Sequence, residues 1–209
     1  MITLPPIAIF YIFLGVMRDI LVAVVRALPL ALPLSMIAMY LFMYANEHGW
    51  SSRGFVSQAV RTWKRAYAES SLFRIEFLLV LYAMLALSRT VFLRETWPNP
   101  LSNVFGGWGF FDSNGYFTLE AIENFILFIP FTLLLSSVLH RVEQTEHAHS
   151  DAWVLWRASR ASAAFSLFIE CMQVVLRLGT FQISDLVYNT AGGVLGAVLF
   201  YLAIKVRTT

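Results

Sequence analysis

Glu170, Gln173 and Arg177 follow one another at i, i+3 and i+7, a spacing that puts all three on one face of a helix. Their flanks read "SLFIECMQVVLRLGTF", an apolar setting. A carboxylate at mid-membrane costs about 3 kcal/mol or more unless it is paired, protonated or wetted. Beyond a short run, Asp185 opens a second stretch, with Asn189 one turn further and Gly192 and Gly196 continuing that face. A third, "LEAIENFILFIPF", sets Glu120 and Asn124 one turn apart, with Glu123 beside them and Pro130 deeper. Two chemistries suit such a set. Glu170 as general acid or base, Asp185 as its ionised partner, and Asn124 or Asn189 holding a developing oxyanion would make an intramembrane enzyme acting on a lipid or lipid-linked substrate. Alternatively Arg177, Gln173, Asn124 and Asn189 would bind the polar headgroup of an amphiphile without reaction, with glycine-lined grooves taking its acyl chain. The plainer reading is helix glue, at about 0.6 kcal/mol per interhelical hydrogen bond, with Arg177 and Asp185 as a structural ion pair. Glu170 resists that reading most, because intramembrane ionisable groups default to function.

The elements that must position these groups are membrane helices. Of 209 residues, 58% are hydrophobic and 13% charged, and mean hydropathy is +0.67. Soluble domains carry about 25% charged residues. The fold class is therefore all-α, a polytopic transmembrane bundle forming one domain over residues 1–209. Residues 27–45 and 186–204 are each 19 positions without a charge. Residues 77–93 are apolar but for Arg89, residues 125–139 are apolar with a start near Leu119, and residues 161–176 are apolar but for Glu170 and Gln173. These make about five spans. Residues 7–25, interrupted by Arg18 and Asp19, add an N-terminal membrane or interfacial helix. Pro130 leaves a carbonyl unpaired and is expected to kink its helix. Gly192 and Gly196 have small-x-x-x-small spacing for close helix contact, within the bundle or between copies, so the oligomeric state stays open.

Basic residues set the orientation. Arg53, Arg61, Lys64, Arg65 and Arg74, three arginines over 141–160, and Lys205 with Arg207 make ten on one side, against Arg89, Arg94 and Arg177 on the other. The C-terminus is then cytoplasmic, and loops 94–118 and 178–184 face outward. Arg177 lies at the outer end of its helix, with Glu170 about 10 Å deeper at ~1.5 Å per residue. Ser184 or Asp185 is expected to cap the next helix, and Asp185 suits the positive end of its dipole. Arg89 either snorkels to the interface or joins the polar cluster. The outer loop "RETWPNPLSNVFGGWGFFDSNGYF" carries Trp97, Trp108, Phe110, Phe111 and Tyr116, fitted to an interfacial aromatic belt. Its glycines also allow a flap over a site. Residues 53–74 read as a basic amphipathic helix on anionic lipid.

Other signals point away from familiar chemistries. Net charge is +2, so no nucleic-acid footprint is expected. The one cysteine, Cys171, cannot form an internal disulfide. "MITLPPIAIF" has no basic n-region, so no cleaved signal is expected. His147 and His149 in "EHAHSD" are a poor metal signature, and no H-E-x-x-H, G-x-S-x-G or Walker-type motif occurs. No metal or cofactor is expected. Five or six helices without an inverted repeat also make a poor secondary transporter.

"ENFILFIPFTLLL" followed by "SLFIECMQVVLRLGTFQISDLVYNTAGGVLG" resembles the VanZ-like family of bacterial membrane proteins. Asn124, Pro130 and Phe131 match its first segment. Glu170, Gln173, Asp185, Asn189, Gly192 and Gly196 match the second, and Arg177 stands where a basic residue is usual. The resemblance covers roughly residues 74–202. Thr132 departs from a usual glycine, and "NVFGGW" departs from a usual N-L-I-P-F. The resemblance implies a bacterial cytoplasmic-membrane protein linked to low-level resistance to teicoplanin, a glycopeptide with a lipid tail. The ligand expected is the lipoglycopeptide or a lipid-linked cell-wall precursor, met in an outward-facing polar cavity.

Overall fold

A computed structural model describes residues 6–48, 55–109, 111, 118–146 and 150–208. The helices are α1 (Pro6–His48), α2 (Phe55–Glu69), α3 (Ser71–Leu87, continued by a π-helical turn Ser88–Phe92), α4 (Glu120–Glu146), α5 (Asp151–Leu176) and α6 (Ile183–Thr208). Five are long and apolar enough to cross a membrane: Leu14–Leu41 within α1, Ser71–Phe92, Glu120–Val142, Asp151–Leu176 and Ile183–Val206. The chain is a multi-pass membrane protein. His147, His149, Phe110, Tyr116 and Arg53 lie outside the described residues.

The N-terminal stretch 7–25 and the span 27–45 are one continuous helix. At 43 residues, α1 is about 65 Å long, against a hydrocarbon core of ~30 Å. Arg18 and Asp19 do not break it, because they neutralise each other at 2.9 Å. Pro29 and Pro33 lie inside it without ending it. Ala27, Ala31, Ser35 and Met39 form its buried stripe at four-residue spacing, and the three small ones let α1 lie close on α3.

The amphipathic α2 does not rest its whole apolar face on lipid. Trp63 and Ala66 pack with Phe73 and Phe77 of α3 and Met39 of α1, while Arg61, Lys64 and Arg65 remain exposed. Ser70 separates α2 from α3 and caps α3, its hydroxyl accepting from Phe73 N–H at 3.1 Å.

The centre of the bundle is the contact of α4 with α6, flanked by α5 and α3. Glycine sets its closeness. A Cβ on Gly192 would lie 1.9 Å from the Phe125 carbonyl oxygen, and one on Gly196 would lie 2.5 Å from that of Ile129. On the neighbouring edge, a Cβ on Gly193 would meet Ser162 Oγ of α5 at 1.9 Å. Thr132 is tolerated where the resemblance has glycine because its hydroxyl bonds back to Phe128 O at 2.8 Å and Gly196 opposite leaves it room. Pro130 removes one rung of α4. The adjacent carbonyl of Leu127 accepts from the Tyr82 hydroxyl at 2.8 Å, which ties the weakened turn to α3. Phe128, Phe131, Val91 and Ile169 fill the centre.

Gly192→Val puts branched carbons onto backbone that cannot rotate away. It is expected to lower stability by ~2–3 kcal/mol or more. Gly107→Ala, at a glycine with open space around it, should change nothing. Thermal unfolding in detergent, followed by tryptophan fluorescence, reads both, and equal midpoints would refute the close contact of α4 and α6.

Candidate functional site

The site begins where α5 ends. Arg177 adopts a left-handed conformation, φ 56. Leu178 N–H donates to Gln173 O at 2.9 Å and Arg177 N–H to Val174 O at 3.2 Å. This is a Schellman ending, with arginine where glycine is usual. Gly179, φ 120, reverses the chain. The return segment then descends alongside α5 until Gln182 N–H donates to Glu170 Oε2 at 2.9 Å. Glu170 is 1% exposed and lies level with the first turn of α6, not opposite its middle. Its carboxylate meets the positive end of the α6 dipole and an amide that would otherwise be unpaired. Gln182 therefore stands in the capping place expected of Ser184 or Asp185, and both of those fall inside the first turn.

Asp185 is buried beside Glu170. Ser184 adjoins it, Asn124 and Glu120 of α4 face it, and the cation acting on both Asp185 and Glu170 is Arg94. The sequence reading had Arg177 meet Asp185. The structure leaves Arg177 exposed and shows no ion pair for it among the described residues, because its left-handed backbone sits above the turn rather than against α6. Arg94 instead reaches under the turn, where a Cβ on Gly179 would lie 2.8 Å from its Nη1.

A change of helical pitch makes that reach possible. In the π-turn, Leu93 N–H donates to Ser88 O at 2.9 Å, and Thr90 O is left to accept from Gln173 Nε2 at 2.9 Å. Arg89 faces the other side of α3 and forms an ion pair with Glu123. Glu123 thus turns away from Glu120 and Asn124. Asn189 Nδ2 donates to Ser166 Oγ at 3.0 Å. Three amides keep one atom each without a well-formed hydrogen bond: Gln173 Oε1, Asn189 Oδ1 and Asn124 Nδ2. Glu170, Gln173, Asp185, Asn124 and Asn189 therefore converge as the spacing implied. Arg94, Gln182, Thr90 and Ser166 complete the group unforeseen. Ser166 was legible, one turn before Glu170 on the same face. Arg94 and Gln182 lie outside any helical period. Among the described residues, no three His, Cys, Asp or Glu side chains group as a metal site would need. Cys171 is exposed.

The loop 94–109 covers this group. Trp97 N–H donates to Arg177 O at 2.7 Å, Phe181 N–H to Pro100 O at 2.9 Å and Ile183 N–H to Val104 O at 2.8 Å, so the loop is laced to the α5–α6 turn by its backbone. Gly106, φ +73, lies on Ser184, whose hydroxyl takes the place of a Cβ. Gly109 N–H donates to the Tyr188 hydroxyl at 2.8 Å, and Trp108 packs against the Tyr188 ring. Between this loop and the start of α4 is a cleft of about 490 Å³, with Asn103, Gly107 and Trp108 on one side and Thr118, Glu120 and Gln182 on the other. Glu170 and Asp185 lie behind it and do not line it. Trp97, Trp108 and Phe111 are exposed, as an interfacial belt requires.

The family model described as VanZ/LLP1 matches residues 7–204. Protein VanZ of Enterococcus faecium is 35% identical over 95 residues, which is 46% of this chain and 52% of that protein. The chain thus spans about half the length of that curated relative. No solved structure matches the chain. The family match reaches beyond the resemblance over 74–202 to take in α1, so it covers all five apolar spans as well as the polar group between α4, α5 and α6: the chain belongs to the VanZ/LLP1 family.

Proposed function

We propose that this protein binds the polar end of an amphiphile at the outer leaflet of the bacterial cytoplasmic membrane, with its C-terminus in the cytoplasm, and that this binding underlies low-level protection against teicoplanin. The cleft of about 490 Å³ between the glycine-rich loop and the α4 start carries the reading. Orientation rests on the exposed arginines and lysine of α2 and the basic C-terminal end. The link to teicoplanin is what the family resemblance implies, and the match to the VanZ/LLP1 family and to Protein VanZ of E. faecium supports that resemblance.

The charge of the cleft narrows the ligand. Among the described residues that line it, the charged one is Glu120, with Asp185 and Glu170 behind and Arg94 offsetting them. Such a site repels a phosphate and favours hydroxyl, amide or ammonium donors. Those are the groups of a sugar-peptide headgroup, as borne by a lipoglycopeptide; a lipid-linked cell-wall precursor offers the same groups only beyond its phosphate linkage, which must then stay outside the cleft. The amides at Asn124, Gln173 and Asn189 supply further donors and acceptors if Gln182 moves aside.

A catalytic use of Glu170 and Asp185 needs the same movement. Both are buried, and Glu170 is engaged by the Gln182 amide. Glu170→Gln separates the two readings. A glutamine carbonyl still accepts from Gln182 N–H but cannot carry a proton in catalysis. Near-normal protection by this variant is expected for binding, and loss of protection at equal membrane abundance would favour proton chemistry.

Gly107→Trp fills the cleft without touching the bundle. It should abolish protection in a susceptible host while thermal stability and membrane abundance stay unchanged, and unaltered susceptibility would sink the binding reading. Arg94→Gln removes the cation beside two buried carboxylates and should destabilise by ~1–2 kcal/mol. Arg177→Gly relieves a left-handed arginine and should stabilise by ~0.5–1 kcal/mol. The reverse order of these two midpoints would make Arg177, and not Arg94, the cation that holds the buried carboxylates.

A further inference from the structure

A second cavity opens sideways between α1, α3 and α4. It has a volume of about 170 Å³, and its walls include Ala23, Ala86, Leu127 and Pro130, with Arg89 and Glu123 at one end. Both alanines are small enough to leave the slot open, and Ala86 is 2% exposed. Arg89 and Glu123 keep 26% and 19% of their side-chain surface exposed, so the pair is open to a ligand. Each lies one turn inside its helix end, about 5 Å from Phe92 and from Glu120. That is the depth of a phospholipid headgroup and glycerol. From Glu123 to Pro130 the slot runs about 10 Å along α4, within one leaflet of ~15 Å of hydrocarbon.

We infer that this slot is a binding site for a phospholipid whose headgroup carries both a phosphate and a primary ammonium, Arg89 taking the phosphate, Glu123 the ammonium, and one acyl chain lying against Ala23, Ala86 and Leu127. Charge complementarity selects the occupant. An anionic lipid's phosphate draws Arg89 from Glu123 and brings no cation to replace it, and a cationic amphiphile does the converse to Arg89. Only a zwitterion matches an arginine and a glutamate side by side. A primary ammonium also donates hydrogen bonds to a half-buried carboxylate, which a trimethylammonium cannot. The site is independent of the cleft, since Glu123 points away from Glu120.

The test uses the full-length chain purified in mild detergent and offered equal amounts of phosphatidylethanolamine and phosphatidylglycerol with identical acyl chains, with bound lipid read by native mass spectrometry. The wild-type chain should retain phosphatidylethanolamine over phosphatidylglycerol by about fivefold, the size that two half-exposed charge contacts support. Arg89→Gln with Glu123→Gln should keep a bound lipid and lose the preference. Ala23→Phe should lose the bound lipid altogether. Equal retention of both lipids by the wild-type chain overturns the proposal without recourse to any variant. So does a preference that survives the double glutamine substitution, or undiminished binding in Ala23→Phe.

Discussion

The hydrogen bond from the Gln182 amide to the Glu170 carboxylate, at 2.9 Å, fixes how α5 hands over to α6. In lipid, no water is available to pair the first amides of a helix, so an acceptor must come from the protein. Glu170 supplies it from well inside α5. The turn must therefore descend, and α6 starts lower than α5 ends. The loop 94–109 can then lie in the step this creates, paired to Phe181 and Ile183 through their backbone amides. The cleft, its floor at Gln182 and the burial of Asp185 all follow from that difference in level. A residue that looked like a reagent from its spacing is first of all the anchor of a helix.

The α4–α6 contact imposes the second constraint. Gly192 and Gly196 bring the two backbones so close that Asn124 and Asp185, on opposite helices, face one another. With larger residues at those positions, the helix ends would splay and the carboxylates would separate. Packing energy without a hydrophobic driving force, which is all that lipid leaves, here doubles as positioning of the polar group.

The helices and much of the site were legible because both depend on local periodicity. Apolar runs gave the spans, and the faces Glu170–Gln173 and Asp185–Asn189 are buried as spaced, while Glu120, one turn before Asn124, is exposed on the cleft. What escaped was set by backbone conformation that sequence spacing does not encode. Arg177 has the right interval from Glu170, but the Schellman turn takes it out of the helical phase. Arg94 has no interval to read, since the π-turn at Ser88–Phe92 shifts everything after it. The join of 7–25 to 27–45 was hidden by Arg26, which divides the two apolar runs, and by Arg18 and Asp19, which look like a break until they are seen to pair.

The same π-turn explains why one helix serves two polar environments. In an unbroken α-helix, Arg89 and Arg94 would lie about 140° apart, at ~100° per residue. The wider turn changes that angle and frees the Thr90 carbonyl for Gln173. Arg89 is left with Glu123 on the side of α1, and Arg94 with Glu170 and Asp185 on the side of α5 and α6. Each arginine is therefore matched to acids on its own side, and neither is among the described residues that line the cleft, where Glu120 is the charged group. On the binding reading, the acidic cleft takes donor-rich headgroups because both nearby cations are already committed behind its walls.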